Sequence, residues 1–354
     1  MTGIVDFLTQ PGKDPAEAVN GQLVSTLGGL ISEIPPVPSR INQLGLFIEQ
    51  GMLGTKLFFD RQGYEIRLVQ STERGAAVPD GLSPSRNNVH LKAVRLSEKA
   101  TILADDFRDI LALGTSGGFE SLNSWMTQRL WSPTQSVRAT NEWHKLGAIK
   151  GEVLDANGDV IFDLYDLFGF TKPEPVELEL DTASTDVRGK MTKAKRAMMK
   201  ALGGVPATGF HAFAGDNLWD KLVGHKSVRE TWLNTQRASE LRDNAAYESI
   251  NLGGITIENY HGYVGETPFV GPDEIRFFPV GVPGLFQQHF APADRFPFND
   301  GMGLKEYVMP YRKDDGTAID FIVQSNPVTL CTRPNALLSG VTNTAPSEPE
   351  GGET

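Results

Sequence analysis

The stretch Gly114-Thr115-Ser116-Gly117-Gly118 has the G-x-S-x-G form of a nucleophile elbow. In such an elbow a serine on a tight strand-to-helix turn attacks a carbonyl with help from a later histidine and acid. The chemistry requires a strand before the turn, whereas Asp106-Phe107-Arg108-Asp109-Ile110-Leu111-Ala112-Leu113 reads as helix. A break between two helices is the plainer reading, and a serine hydrolase using Ser116 is kept as the alternative function. The six histidines, His90, His144, His211, His225, His261 and His289, include no i, i+4 pair and no member of a compact acid cluster. They read as structural residues rather than as ligands of zinc or of a two-metal centre. Cys331 is the single cysteine, so neither an internal disulfide nor a cysteine cluster can form. Asp105, Asp106 and Asp109 could show two carboxylates on one helix face, but acids in a first helical turn are also what the helix dipole favours. Neither a P-loop nor a G-x-G-x-x-G motif is present. On this reading no catalytic, cofactor or metal residue is assigned.

Residues 186–202 carry Val187, Met191, Ala194, Met198 and Leu202 on one helical face, and Arg188, Lys190, Lys193, Lys195, Arg196 and Lys200 elsewhere. A solvated basic face is the default reading, with contact to nucleic acid or acidic neighbours as the alternative. The chain of 354 residues has 33 Lys+Arg against 44 Asp+Glu, a formal charge of −11. That balance argues against a general nucleic-acid coat, which needs clustered cations for phosphates. No apolar run approaches the ~18 residues of a membrane helix, and the first residues show no basic region ahead of an apolar one, so no secretory signal is visible.

The elements that must position these residues include an unusual amount of connecting chain. There are 37 glycines and 22 prolines, well above the roughly 12% expected of a globular chain. Residues 1–50, broken by Pro11-Gly12, Gly28-Gly29 and Pro35-Pro36-Val37-Pro38, read as an extended arm that lies across something else. Residues 55–96 read as a long β-hairpin with a polar tip and a return branch Val89–Leu96 of period 2. A two-stranded hairpin of that kind needs a partner surface. Residues 99–147 read as helical, with Phe119, Leu122, Trp125, Met126 and Leu130 in register and Pro133 as a possible kink. Asn157-Gly158 marks a hairpin over Glu152–Tyr165. Strands are expected at Thr208–Phe213, Ile255–Tyr260 and Glu274–Val280, a helix capped by Asp216 begins at that residue, and a last hairpin turns at Asp315-Gly316. The end of the chain, 343–354, is acidic and reads as disordered.

Arg276-Phe277-Phe278-Pro279-Val280-Gly281-Val282-Pro283-Gly284-Leu285-Phe286, followed by Phe290-Ala291-Pro292-Ala293-Asp294, resembles the major capsid protein E family of tailed phages, the family of the lambda shell protein. Gly215–Leu222, Gly254–Gly262, Phe321–Pro327 and Arg333-Pro334-Asn335 are similar to further family segments in the same order. The likeness is clearest over about 205–340 and looser through 40–200.

The resemblance implies an α+β protein of the Hong Kong 97 capsid fold: N-terminal arm 1–54, extended loop 55–97, peripheral domain 98–204 with 305–342, and axial domain 205–304. It implies a non-enzymatic major capsid protein that assembles as hexamers and pentamers into an icosahedral head around double-stranded DNA, in the virion, after assembly in the bacterial host cytoplasm. The partners it implies are other copies of the chain, a separate scaffolding protein and a portal, and family members often carry a decoration protein. Phe58, Phe59, Ile66, Leu68, Val89, Leu91 and Val94 of the hairpin are then expected to contact neighbouring subunits, each partly covered only in the shell. Lys92 lies in that hairpin without an acid to activate it, so no crosslink is expected there. The net negative charge suits a shell that holds DNA without sequence-specific binding, and an inner face without a strong basic patch is expected.

Overall fold

The computed structural model describes residues 28–32, 34, 40–62, 86–106, 118–233, 249–264, 267–296, 298–299, 301–313 and 315–342. Two compact units divide the chain. One takes the residues up to Arg61 together with Asn87–Lys145 and Phe286–Leu330, and the other takes Gln62–Arg86, Leu146–Leu285 and the residues from Cys331 onward.

The first unit is organised by the long helix Gly118–Lys150, of 33 residues, whose part up to Lys145 belongs here. Met126, Leu130 and Val137 recur at helical spacing and are buried against Leu30, Ile31, Ile34, Ile102, Val308, Phe321 and Val323. Pro133 lies inside the helix without ending it. An interior proline costs roughly 3 kcal/mol, and the buried residues on both sides of it offset that cost. The sheet packed in this core has the order Tyr307–Arg312, Ala318–Ser325, Leu96–Leu103, all antiparallel. Its first two strands are joined by the expected turn at Asp315-Gly316, where the Asp315 carboxylate accepts from the Thr317 amide at 3.0 Å and hydroxyl at 2.7 Å.

Residues 99–103 correct the helical expectation for 99–147. They belong to strand Leu96–Leu103, which pairs along its whole length with Ala318–Ser325. The β-branched Thr101 and Ile102 suit a pleated surface. Thr101 donates to Asp320 on the partner strand at 2.6 Å, and Lys99 stands 3.3 Å from the same carboxylate. The hairpin's return branch therefore ends earlier than Leu96: strand Lys56–Gln62 pairs with Arg86–Lys92, and the chain then enters a different sheet. A third sheet joins Phe47–Gly51, in parallel, to Phe286–Phe290, with Pro327–Cys331 on the other side.

The second unit holds a six-stranded mixed sheet in the order Val176–Glu177, Leu338–Val341, Glu274–Val280, Gly209–Ala214, Ile255–Asn259, Ser249–Leu252. One face receives helix Val187–Ala201, whose buried Val187, Met191, Ala194 and Met198 meet Ala212, Ile255, Ile257, Ile275 and Phe277. The Asp186 side chain starts this helix by accepting from the Gly189 amide at 2.9 Å. His211, Phe213, Phe278 and Tyr260 form an aromatic cluster with centroids 4.6–5.5 Å apart.

The hairpin at Asn157-Gly158 is present as Glu152–Leu154 with Val160–Asp163, and Gly158 has φ +89°, the conformation such a turn requires. It stops short of Tyr165, because Asp163 caps a short helix, Leu164–Phe168, accepting from the amides of Tyr165 and Asp166. The helix at Asp216 is also capped differently from the expectation. Gly215 is its N-cap, without a side-chain hydrogen bond, and Asp216 lies in the first turn.

Candidate assembly surfaces

Strand Lys56–Gln62 presents Phe58 at 75% exposure, and Leu53 just ahead of it is 74% exposed. Full exposure of such side chains forgoes roughly 1.5–3 kcal/mol each relative to burial. The backbone around them is firmly tied. The Met52 amide donates to the Phe290 carbonyl at 2.8 Å, and the Gly303 amide donates to the Met52 carbonyl at 3.0 Å. These bonds bring Leu53 beside the loop of exposed Met302 and Leu304, and the same connection carries Phe296 at 85% exposure. The base of the hairpin is tied as well, by Ala93 N–H to the Thr55 carbonyl and Val94 N–H to the Pro327 carbonyl. Hydrophobic side chains are thus displayed on ordered backbone, which lowers the conformational entropy a partner must overcome.

The expected contact residues divide accordingly. Phe58 is exposed and Val94 half-buried. Phe59 and Val89 sit on the two paired strands of the hairpin. Ile66 and Leu68 lie outside the described residues. Leu91 corrects the expectation: it is 1% exposed within the single chain, so its burial does not wait for a neighbour. Leu53, Phe296, Met302 and Leu304 were not singled out by pattern. Their signal was composition, four apolar residues in Gly-, Pro- and Asp-rich connections too irregular to bury them.

A polar network centred on the buried Lys145 holds residues 42–49, within the arm. Lys145, 3% exposed in its side chain, donates to Asn42 Oδ1 and Glu49 Oε1, both at 2.5 Å, and Lys305 donates to Glu49 Oε2 at 2.8 Å. Burial pushes the Glu49 carboxyl up, but the hydrogen bonds from Lys145 and Lys305 outweigh it and hold Glu49 below its ordinary range. Burial pushes the Lys145 ammonium down, against the pull of Glu49. In the second unit Glu274 is similarly depressed: burial raises it, and Arg276 and Lys150 more than reverse that.

The residues considered for chemistry are otherwise engaged or lie elsewhere. Ser116 and Asp109 are outside the described residues. Asp106 stands 3.6 Å from Arg129. His211 is 3.2 Å from buried Glu258. His225 Nε2 donates to the Thr182 carbonyl at 3.1 Å, which leaves Nδ1 to accept from Ser227. Among the described residues no group of three or more His, Cys, Asp or Glu is placed to hold a metal ion, and no helix is long and apolar enough to cross a membrane.

Solved structures share this fold. A prophage capsid protein from E. coli CFT073 superimposes with a TM-score of 0.54 at 13% identity, covering 90% of this chain and 98% of the other. The capsid subunit of cyanophage A-1(L) does so with a TM-score of 0.50 at 9% identity, over 89% and 95%. The fold is the α+β Hong Kong 97-type capsid fold. Residues 24–342 match the family described as Phage major capsid protein E, and the chain belongs to that family. The major capsid protein of Salmonella phage Felix O1 is 22% identical over 349 residues, 89% of this chain and 95% of the relative. The protein is a major capsid protein of a phage, a structural component of the virion.

Proposed function

We propose that the chain assembles as hexamers and pentamers into the icosahedral head of a tailed phage and encloses double-stranded DNA without binding its sequence. The observation that carries this reading is the display of Phe58 and Leu53 on or beside hydrogen-bonded backbone, in a chain whose family builds shells. Within the shell these side chains are covered by neighbouring copies. Residues 1–54 serve as the arm, 55–97 as the extended loop, and 98–204 with 305–342 as the peripheral domain. Residues 205–304 form the axial domain around strands Gly209–Ala214, Ser249–Leu252, Ile255–Asn259 and Glu274–Val280. A separate scaffolding protein guides assembly in the host cytoplasm, DNA enters through a portal, and a decoration protein is compatible with the outer surface. The chain has no catalytic role, so Ser116→Ala leaves particle yield unchanged.

The test is negative-stain microscopy of the protein expressed with and without the scaffold of its phage. Hollow icosahedral shells are the expected result. Rings or dispersed subunits under both conditions would overturn the reading.

A further inference from the structure

Helix Val187–Ala201 has six basic residues and no acidic one, in a protein of net charge −11. Two of the six are used locally. Lys190 bonds the Glu177 carbonyl at 2.7 Å and pairs with Glu179 at 3.0 Å, while Lys195 lies over the Phe210 ring. The other four, Arg188, Lys193, Arg196 and Lys200, are exposed, and their side chains have no hydrogen-bond or ion-pair partner among the described residues. At 100° per residue, Lys193, Arg196 and Lys200 fall within one narrow sector, opposite the buried Val187, Met191, Ala194 and Met198. Like charges this close repel one another, so the ridge gains from an anionic occupant.

The chain carries a segment of matching charge beside this ridge. The last strand, Leu338–Val341, pairs in parallel with Val176–Glu177, setting Val341 beside Glu177, and Glu177 is the residue whose carbonyl Lys190 grips. The Leu178 amide continues the pairing by donating to the Val341 carbonyl at 3.0 Å. The residues that follow Thr342 therefore set out from the first turns of the basic helix. They include Glu348, Glu350 and Glu353, with no lysine or arginine. Six residues of chain from Thr342 reach at most about 20 Å, and the whole 15-residue helix is about 22 Å long.

We propose that residues 343–354 dock on the Lys193–Arg196–Lys200 ridge of their own chain and mask it from other polyanions. A tethered segment acts at an effective concentration of the order of millimolar. A free polyanion must instead approach a molecule of the same sign of net charge.

The test uses unassembled full-length subunits and a 1–342 truncation. Zero-length carbodiimide coupling of the full-length chain at low salt should join Lys193 or Lys200 to Glu348, Glu350 or Glu353. Coupling should be lost near 1 M salt, where the Debye length falls to about 3 Å. The truncation should elute from heparin at higher salt than the full-length chain, and Arg196→Glu with Lys200→Glu in the truncated chain should abolish that gain. Absence of these couplings, equal elution of the two chains, or couplings found between differently isotope-labelled molecules in a mixture would each overturn the proposal. The last result would assign the ridge to a second copy instead.

Discussion

Arg138 meets Glu306 through two parallel hydrogen bonds, Nε to Oε1 at 2.7 Å and Nη2 to Oε2 at 2.8 Å. The same guanidinium reaches back to the arm, Nη1 donating to the Ile34 carbonyl at 2.9 Å and Nη2 to the Ile31 carbonyl at 3.3 Å. One side chain of the long helix thus fixes two segments far apart in sequence. The side chains are 17% and 9% exposed, so solvent screens the pair little. Arg138→Ala leaves the Glu306 charge and the Ile34 carbonyl without the guanidinium, while the Ile31 carbonyl keeps the Ile34 amide, and is expected to cost about 3–5 kcal/mol. Arg138→Lys keeps the charge but not the fork, and should recover only part of that loss. Urea unfolding of the unassembled subunit measures both, as a drop in midpoint at unchanged slope.

The depressed carboxyls predict acid sensitivity. Burial opposes ionisation of Glu49, Glu274 and Asp320, yet their partners more than reverse it: Lys145 and Lys305 for Glu49, Arg276 and Lys150 for Glu274, Thr101 and Lys99 for Asp320. A folded-state value below the unfolded one means that the unfolded chain binds more protons between the two. This contribution to stability is complete above the ordinary carboxylate value, about 4, and is lost as pH falls through the lower folded values. Thermal unfolding from pH 7 to pH 3 should show a midpoint that is flat near neutrality and falls below about pH 4.5. Glu49→Gln with Glu274→Gln should lower the neutral midpoint and flatten the acid limb. An unchanged acid limb would remove these pairs as its cause.

Phe58 and Leu91 lie on the two strands of one hairpin and should respond oppositely. Leu91 is 1% exposed and Phe58 75%. Leu91→Ala should destabilise the isolated subunit by about 2–5 kcal/mol through lost burial and the cavity left behind. Phe58→Asp should change it by no more than about 0.5 kcal/mol, yet reduce shell formation with scaffold, because a carboxylate would be desolvated at the contact. Calorimetry of subunits reads the first effect, and sedimentation of assembly reactions reads the second.

The difference between these two residues shows what the sequence discloses. The hairpin pattern marks Phe58 and Leu91 alike as strand residues, although only the return branch of Leu91 alternates with period 2. Which side the chain itself covers depends on segments far away in sequence. Features with a local cause are legible: the turn at Asn157-Gly158, the apolar stripe of Val187–Ala201, the turn at Asp315-Gly316. Lys99-Ala100-Thr101-Ile102 carries little local strand signal, because its partner, Ala318–Ser325, begins more than 200 residues later. A tertiary ladder overrides so short a local preference. The buried Lys145 had no sequence signal, since its partners Asn42, Glu49 and Lys305 meet only in the folded unit. The exposed Phe296 and Leu304 were passed over because connecting chain with Gly and Pro rarely carries contact residues in so regular a way that pattern alone finds them.

Gly253 tests how closely the basic helix is seated on its sheet. It turns the chain between strands Ser249–Leu252 and Ile255–Asn259 at φ +63°. A Cβ there would stand 2.9 Å from Met191 Cβ and 3.1 Å from both the Arg188 carbonyl oxygen and the Thr192 amide nitrogen. The left-handed conformation alone costs a non-glycine residue about 1–2 kcal/mol. The contact adds to this, because two of the three atoms it meets are helix backbone and the third is the stem of a fully buried side chain. Relief requires the helix to lift away from the sheet, exposing Met191 and Ala194, so Gly253→Ala should cost about 2–4 kcal/mol in all. Gly158→Ala supplies the control. It shares a positive φ, +89°, but has open space around the added methyl, and should show the conformational cost alone. Urea midpoints of the two variants, measured on unassembled subunits, should therefore differ, with Gly253→Ala the lower. Equal midpoints would mean that the helix shifts without loss and is not seated as tightly as these distances imply.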